Sequence, residues 1–397
     1  MPLEEIEKND FNLNLPRYID SQQAEDRQDI AGHLQGGIPE ADVQALDAYW
    51  AVCPGLQQSL FKKNRKGYLD LKVDPADIKQ TIYQHPEFTA FIGGMNHHFA
   101  TWRDKTSVTL KALKPGFHPK QRIATLSESL LEHYRPQDAA ATGAAHPAAL
   151  TAQLSILNAY DIYQHLMDYW SARMQDDCYA ISAEGWKAEP TRIVETDKKG
   201  KQKDKGWACD LIPKSLIVSR YFASEQAAID AKNAELESLA SRMAELEEEH
   251  GGEEGLLSEL EKVNKANVAA RIREIKGDKD AREELAVLTE WLELNTAEAE
   301  LKKQVREWEV ALDGRALAQY GRLSEADVKA LVVDDKWLAT IETDIQGEMD
   351  RISQTLTQRV KELAERYGKP LPVLVEQADA MEAKVHAHLE RMGFKWA

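Results

Sequence analysis

No Asn-Pro dipeptide, no nucleotide-binding glycine loop and no apolar run long enough to span a bilayer occurs in these 397 residues. Each absence removes a class of activity. Crossing a membrane takes about 20 consecutive apolar residues, and the acidic start Leu3-Glu4-Glu5-Ile6-Glu7 is unlike a signal peptide. A soluble, cytoplasmic protein without membrane contact is expected. The glycine pairs Gly36-Gly37, Gly93-Gly94 and Gly251-Gly252 do not sit in a strand, G-x-G-x-x-G loop and helix in series, and no G-x-x-x-x-G-K-[ST] phosphate loop exists. ATP-driven translocation is therefore not encoded here. Cysteine is scarce. Cys53, Cys178 and Cys209 are too few and too widely spaced for a disulfide or zinc framework, and suit reduced, partly buried thiols. Basic charge is in deficit: 50 Lys and Arg against 67 Asp and Glu leave a formal net charge of -17. Such a chain does not coat nucleic acid, so any DNA contact must be local.

What is present points to helices. With 43% hydrophobic and 29% charged residues, the balance suits extended helical structure better than one large core. Val73-Asp74-Pro75-Ala76-Asp77-Ile78 combines an N-cap aspartate, a proline at the first helical position and flanking apolar residues, and predicts a helix start. Phe88, Phe91, Ile92, Met95, Phe99 and Trp102 give one helix a broad apolar face. Val43, Leu46, Tyr49, Trp50 and Cys53 predict another amphipathic helix, running up to Pro54. A connector over 137–152 is followed by an aromatic-rich helix from Ile156 to Met174. Strand-like residues on either side of a charged, glycine-bearing turn, from Arg192 to Leu211, predict a β-hairpin.

Beyond it, Ile229, Leu236, Met243 and His250 share one heptad position and Leu239 and Leu246 the other. Leu285, Leu288, Leu292, Leu301, Val305, Trp308 and Leu312 offer a second strand of coil, after an intermediate helix from Leu260 to Ile275. Helices this polar bury only a narrow stripe and need one another, which predicts an antiparallel helical hairpin. Leu323-Ser324-Glu325-Ala326-Asp327-Val328 repeats the capped start, and apolar residues from Leu338 to Leu363 step by three or four until Tyr367-Gly368-Lys369-Pro370. A last helix carries Leu371, Leu374, Ala378, Met381, Val385 and Met392. The expected fold is mainly α: a helical domain, a small β-hairpin, a long antiparallel coiled-coil-like helical hairpin and a terminal helix pair. The corresponding segments are 1–30, 31–174, 175–222, 223–320 and 321–397.

Four stretches carry a resemblance. Asn9-Asp10-Phe11-Asn12-Leu13-Asn14-Leu15-Pro16-Arg17-Tyr18 resembles the segment that follows the catalytic domain in modification (DNA adenine methyltransferase) subunits of type I restriction-modification enzymes. Tyr160 to Tyr179, Asp197 to Lys214 and the terminus Leu389-Glu390-Arg391-Met392-Gly393-Phe394-Lys395-Trp396 resemble the same family. The resemblance implies the carboxy-terminal half of such a subunit, with the Asn-Pro-Pro-aromatic catalytic tetrapeptide and the S-adenosylmethionine loop lying outside these residues. No catalytic, cofactor-binding or metal-binding residue is assigned. The complete enzyme would use S-adenosylmethionine to methylate adenine N6 in DNA. Its implied partners are the DNA-specificity subunit, the methyltransferase catalytic domain, the restriction-translocase subunit and DNA within the complex. The competing expectation is a stand-alone coiled-coil scaffold or regulator that captures specificity subunits without methylating.

Three groups of residues are candidates. Lys198, Lys199, Lys201, Lys203 and Lys205 form a basic turn able to meet a phosphate backbone. A solvated turn suits them slightly better, since Asp197 and Asp204 offset them and no aromatic residue interleaves to stack on bases. Leu374, Ala378, Met381, Val385 and Met392 have the i, i+3, i+4 and i+7 spacing of a helix that docks on a partner, and the resemblance names the specificity subunit's helices as that partner. Arg17 and Tyr18 are candidates for packing on the catalytic domain. His97-His98 point about 100° apart on a helix and suit surface and boundary positions better than a metal site. Asp176-Asp177 are expected to cap or brace a loop.

Overall fold

The computed structural model describes residues 28–135, 154, 156–196, 202–252, 255–257, 260, 262–278 and 280–393. The chain opens with α1 (Ile30–Gln35), β1 (Ile38–Pro39), α2 (Glu40–Gln44), α3 (Asp47–Val52), α4 (Pro54–Leu60), β2 (Phe61–Arg65) and β3 (Tyr68–Leu71). Next come α5 (Ile78–Gln84), α6 (Pro86–Lys111), α7 (Pro119–Tyr134), α8 (Ala159–Tyr169) and α9 (Gln175–Glu184). After β4 (Thr191–Thr196) and β5 (Gln202–Ala208) the rest is helical: α10 (Lys214–Tyr221), α11 (Ala223–His250), α12 (Lys265–Ile275), α13 (Arg282–Tyr320), α14 (Glu325–Lys329), α15 (Ala339–Tyr367) and α16 (Leu371–Arg391). The fold is mainly helical, as expected. Its described residues divide into two compact units, one built from segments 1–97, 135–158 and 347–397, the other from 98–134 and 159–346.

In the first unit the short elements follow from local chemistry. Asp74 accepts the Ala76 backbone N–H at 2.9 Å and Pro75 opens a 3-10 turn that runs into α5, as the capped start predicted. Cys53-Pro54 was expected to end one amphipathic helix. A helix does end there, but the chain also turns at Ala45-Leu46, so the segment is two helices, α2 and α3, and the Trp50 indole N–H donates to the Val43 carbonyl at 2.6 Å across that turn. The antiparallel sheet has the order β1-β3-β2. It was missed in the sequence because Lys62, Lys63, Arg65 and Lys66 mask the alternation. Asp29 ties the pieces together: its carboxylate caps α1 through the Gly32 N–H at 2.6 Å and accepts the Tyr68 hydroxyl at 3.0 Å. Its own N–H donates to the Tyr367 hydroxyl at 3.3 Å. The Gly32 N–H, against a small opposing effect of burial, holds the Asp29 carboxyl below its ordinary pKa.

The second unit contains the helical hairpin. Glu225 near the start of α11 meets Arg315 near the end of α13, while Arg242 meets Glu290 and Glu247 accepts the Trp291 indole N–H at 2.8 Å, so the two helices run antiparallel. Only Ile229 and Leu246 of α11 are buried, against Leu288, Leu301, Val305 and Leu312 among the predicted residues of α13, a stripe narrower than anticipated: Trp308, expected on it, is 43% exposed. Helix α12 starts at Lys265, capped by Asn264, so Leu260 and Val263 precede it and pack beside Leu257, Val268 and Trp291. Ser324 and Asp327 form the reciprocal capping box at α14.

Between α14 and α15 the backbone widens into a π-helical stretch, Ala330–Leu338. Its bonds run i→i+5. Asp334 takes Lys111 and Ser107 of α6, Asp335 takes Arg220 of α10, and Lys336 takes Asp177 of α9. Asp177 was expected in a loop. It lies in the first turn of α9, its side chain 7% exposed, with one oxygen accepting Lys336 Nζ at 2.8 Å and the other the Trp337 indole N–H at 2.8 Å. Burial holds its carboxyl above the ordinary range, against the pull of the Lys336 ammonium.

Removing one partner of a buried ion pair strands the other charge. Asp177→Ala is expected to lower the unfolding free energy by about 3–5 kcal/mol, measured by equilibrium urea denaturation. Replacing both charges by apolar residues, Asp177→Leu with Lys336→Met, should recover most of that loss. A double variant no more stable than Asp177→Ala would show that the charges themselves, not their mutual need, stabilise the unit.

Candidate functional site

The predicted hairpin is present as β4 and β5, paired from Thr191↔Ala208 to Thr196↔Gln202 with a bulge between Arg192 and Val194. Both Lys203 and Lys205 are exposed, whereas Lys198, Lys199 and Lys201 lie outside the described residues. The described part is largely neutralised within itself, Lys205 pairing with Glu195 at 2.9 Å and Arg192 with Asp204 at 3.2 Å. Its base is anchored to α13. The Trp207 indole N–H donates to Asp313 at 2.9 Å, Lys214 pairs with the same carboxylate, and the Trp207 ring stands edge-on to Tyr320 at 5.3 Å.

Helix α16 differs from every other long helix: none of its residues is buried. Leu374, Ala378, Met381, Val385 and Met392 are all exposed, Met381 to 62% and Met392 to 72%. Its 21 residues make a rod of about 31 Å at 1.5 Å per residue. Pro370 fixes its start, and Gly36 at φ +76° lets the α1 end pass against the Pro370 ring. Arg17 and Tyr18, the candidates for contact with a catalytic domain, lie outside the described residues.

Ser59, His85 and Glu87 invite comparison with a hydrolytic triad. Ser59 Oγ is 3.3 Å from His85 Nε2, and His85 Nδ1 is 3.9 Å from Glu87. The hydrogen bonds run the wrong way for nucleophilic attack. The Glu87 N–H points at His85 Nδ1 at 3.4 Å, which places the ring proton on Nε2, so the ring donates to Ser59 instead of taking its proton. Ser59 donates to the Gly55 carbonyl at 3.0 Å, and the Glu87 carboxylate is engaged by the Gly55 and Leu56 N–H groups that open α4. This is a helix cap with a bracing histidine.

His98 corrects a sequence expectation: it is buried, not a boundary residue. Its ring stacks on His133 with centroids 3.8 Å apart, and each Nε2 faces the other residue's carbonyl at 2.8 Å. The exchange joins α6 to α7, and nothing in the spacing of 35 residues announces it. Among the described residues no group of three or more His, Cys, Asp or Glu could hold a metal ion. All three thiols are buried, and burial pushes Cys53 to about 11 and Cys178 to about 12, far from thiolate reactivity at neutral pH. No helix among the described residues is long and apolar enough to cross a membrane. Compared with protein-family models, with curated proteins and with solved structures, the chain matches none.

The Asp313 anchor is testable. Burial acts to raise its carboxyl, but the Lys214 and Trp207 hydrogen bonds outweigh it and leave the pKa below the ordinary value. A carboxylate whose folded pKa is depressed contributes stability above its unfolded pKa and loses it as pH falls through the folded one. Asp313→Ala at neutral pH is expected to accelerate hydrogen exchange of the β4 and β5 amides while leaving helix content unchanged. Acidification of the wild type below the carboxylate range should do the same. Equal exchange in the variant would mean that the hairpin holds its place without this carboxylate.

Proposed function

We propose that this chain is a non-catalytic assembly region of a type I restriction-modification modification subunit, joining a methyltransferase catalytic domain to the DNA-specificity subunit and helping to enclose DNA. The observation that carries the proposal is the terminal helix. A 21-residue helix with apolar residues at helical spacing, none of them buried in its own chain, has the form of an element made for another protein's groove. The segments Asn9 to Tyr18, Tyr160 to Tyr179, Asp197 to Lys214 and Leu389 to Trp396 supply the family to which that partner would belong.

In this reading the chain's own residues do not hold the cofactor. S-adenosylmethionine would need a strand, glycine loop and helix in series, and the described strands form only antiparallel sheets. Cofactor and flipped adenine would be bound by the catalytic domain of the assembled enzyme, and the translocase subunit would join the same assembly. The chain's contribution is positional: α16 offers the contact.

Met381→Asp with Val385→Asp places two carboxylates four residues apart on that contact. Both side chains are exposed, so the thermal midpoint of the isolated chain should not move. Burying the unpaired charges against a partner should weaken co-assembly with the specificity subunit on the order of a hundredfold or more, read by co-purification and titration calorimetry. A lowered midpoint with undiminished binding would make α16 ordinary core and defeat the assignment.

A further inference from the structure

A marked local excess of basic charge lies elsewhere than on the hairpin that the sequence singles out. It lies on β2 and β3. Residues 61–72, Phe-Lys-Lys-Asn-Arg-Lys-Gly-Tyr-Leu-Asp-Leu-Lys, hold five basic residues and one acidic one, in a chain whose net charge is -17. We propose that this hairpin is a binding site for the phosphodiester backbone of duplex DNA, engaged through Lys62, Lys63, Lys66 and Lys72.

All four lysines are exposed, and none of them forms an ion pair among the described residues. The acidic residue, Asp70, lies across from Lys62 in the ladder and is occupied by the Asn64 side-chain amide at 2.6 Å. On β4 and β5, by contrast, four of the five described charged residues pair with one another, Arg192 with Asp204 and Lys205 with Glu195. Lysines left without carboxylate partners in a strongly acidic protein repel one another and gain most from an anion that offers several charges in a row. Phosphodiester backbone is such an anion, and each neutralised phosphate also releases condensed counterions.

The platform beneath the lysines is rigid. Arg65 is spent internally, donating to the Ala31 and Gly36 carbonyls at 3.0 and 3.1 Å while its guanidinium lies 3.2 Å from the Tyr68 ring centroid. Tyr68 in turn donates to Asp29. Phe61 is buried. The bulge between Lys63 and Arg65 and the turn at Gly67, φ +80°, bend the hairpin and bring Lys66 to its tip. Arg65 covering Tyr68 also decides the kind of nucleic acid. Binding of single strands relies on open aromatic faces for bases to stack on, and both aromatic residues of this hairpin are covered. Backbone contact with a duplex needs no such face.

The inference rests on charge and geometry alone and stands apart from the assembly role of α16. Its test is fluorescence anisotropy of the full chain with a labelled mixed-sequence duplex over a series of salt concentrations. Lys62→Gln, Lys63→Gln, Lys66→Gln and Lys72→Gln together should reduce the slope of log affinity against log salt by about 3.6, from about 0.9 per phosphate, with an unchanged circular dichroism melt. The pairs Lys62→Gln with Lys63→Gln and Lys66→Gln with Lys72→Gln should each remove about 1.8, which keeps the test valid if the fourfold variant folds poorly. Arginine at all four positions should preserve the slope, and Met381→Asp with Val385→Asp should leave it untouched. An unchanged slope in the glutamine variants, no duplex binding by the wild type at low salt, or tighter binding of a single strand of equal length would overturn the proposal.

Discussion

A carboxylate and an ammonium taken out of water must satisfy each other and every remaining hydrogen-bonding site, or the fold loses more than it gains. Asp177 and Lys336 meet that demand. One carboxylate oxygen of Asp177 accepts Lys336 and the other the Trp337 indole, while the remaining donors of Lys336 reach the Asp210 and Leu211 carbonyls at 3.3 and 2.8 Å. Three separate stretches of sequence are thereby held at one point. Along Ala330–Leu338 the consecutive residues Asp334, Asp335 and Lys336 each reach a different helix. In a regular α-helix, side chains at consecutive positions are also about 100° apart. What the π-helical stretch adds is an extra residue per turn, so that Trp337 enters the core beside the carboxylate its neighbour already holds.

The two hairpins show how similar composition leads to different electrostatic outcomes. Both are lysine-rich and both are antiparallel with a bulge. On β4 and β5 acidic residues alternate with the basic ones, and cross-strand neighbours neutralise each other. On β2 and β3 no acidic residue falls between Lys62 and Lys66, the one acid is taken by an amide, and the lysines are left facing water. A count of lysines ranks the first hairpin highest. Among the described residues, ranking by unpaired charge favours the second, and only coordinates reveal the pairing.

Periodicity and caps made the long helices legible. The apolar steps from Ile341 to Leu363 are buried in α15, and the capping residues Asp74 and Ser324 do what their positions predict. The heptad stripes of α11 and α13 were equally plain, since a narrow buried stripe is a repeated local signal. Less visible was whatever depends on residues distant in the chain. Asp177 finds Lys336 across 159 positions, His98 finds His133 across 35, and Asp29 reaches Tyr367 across 338. Short elements were also lost: α2 and α3 read as one helix because a single turn at Ala45-Leu46 leaves the apolar spacing nearly intact. Of the candidate residues, those on α16 were readable as a helix, but their full exposure was not, because a seam bound for a partner and one bound for the core look alike in sequence.

Exposure on that scale has a colloidal consequence. From Leu371 to Arg391 the acidic residues Glu376, Asp379, Glu382 and Glu390 outnumber Lys384 and Arg391. When two copies of the chain meet through this helix, like charges approach with the apolar residues, and the encounter is disfavoured most at low ionic strength. Added salt screens that repulsion without weakening apolar attraction. The ionic strength of the surroundings, together with the apolar area, therefore governs how long such a helix stays solitary.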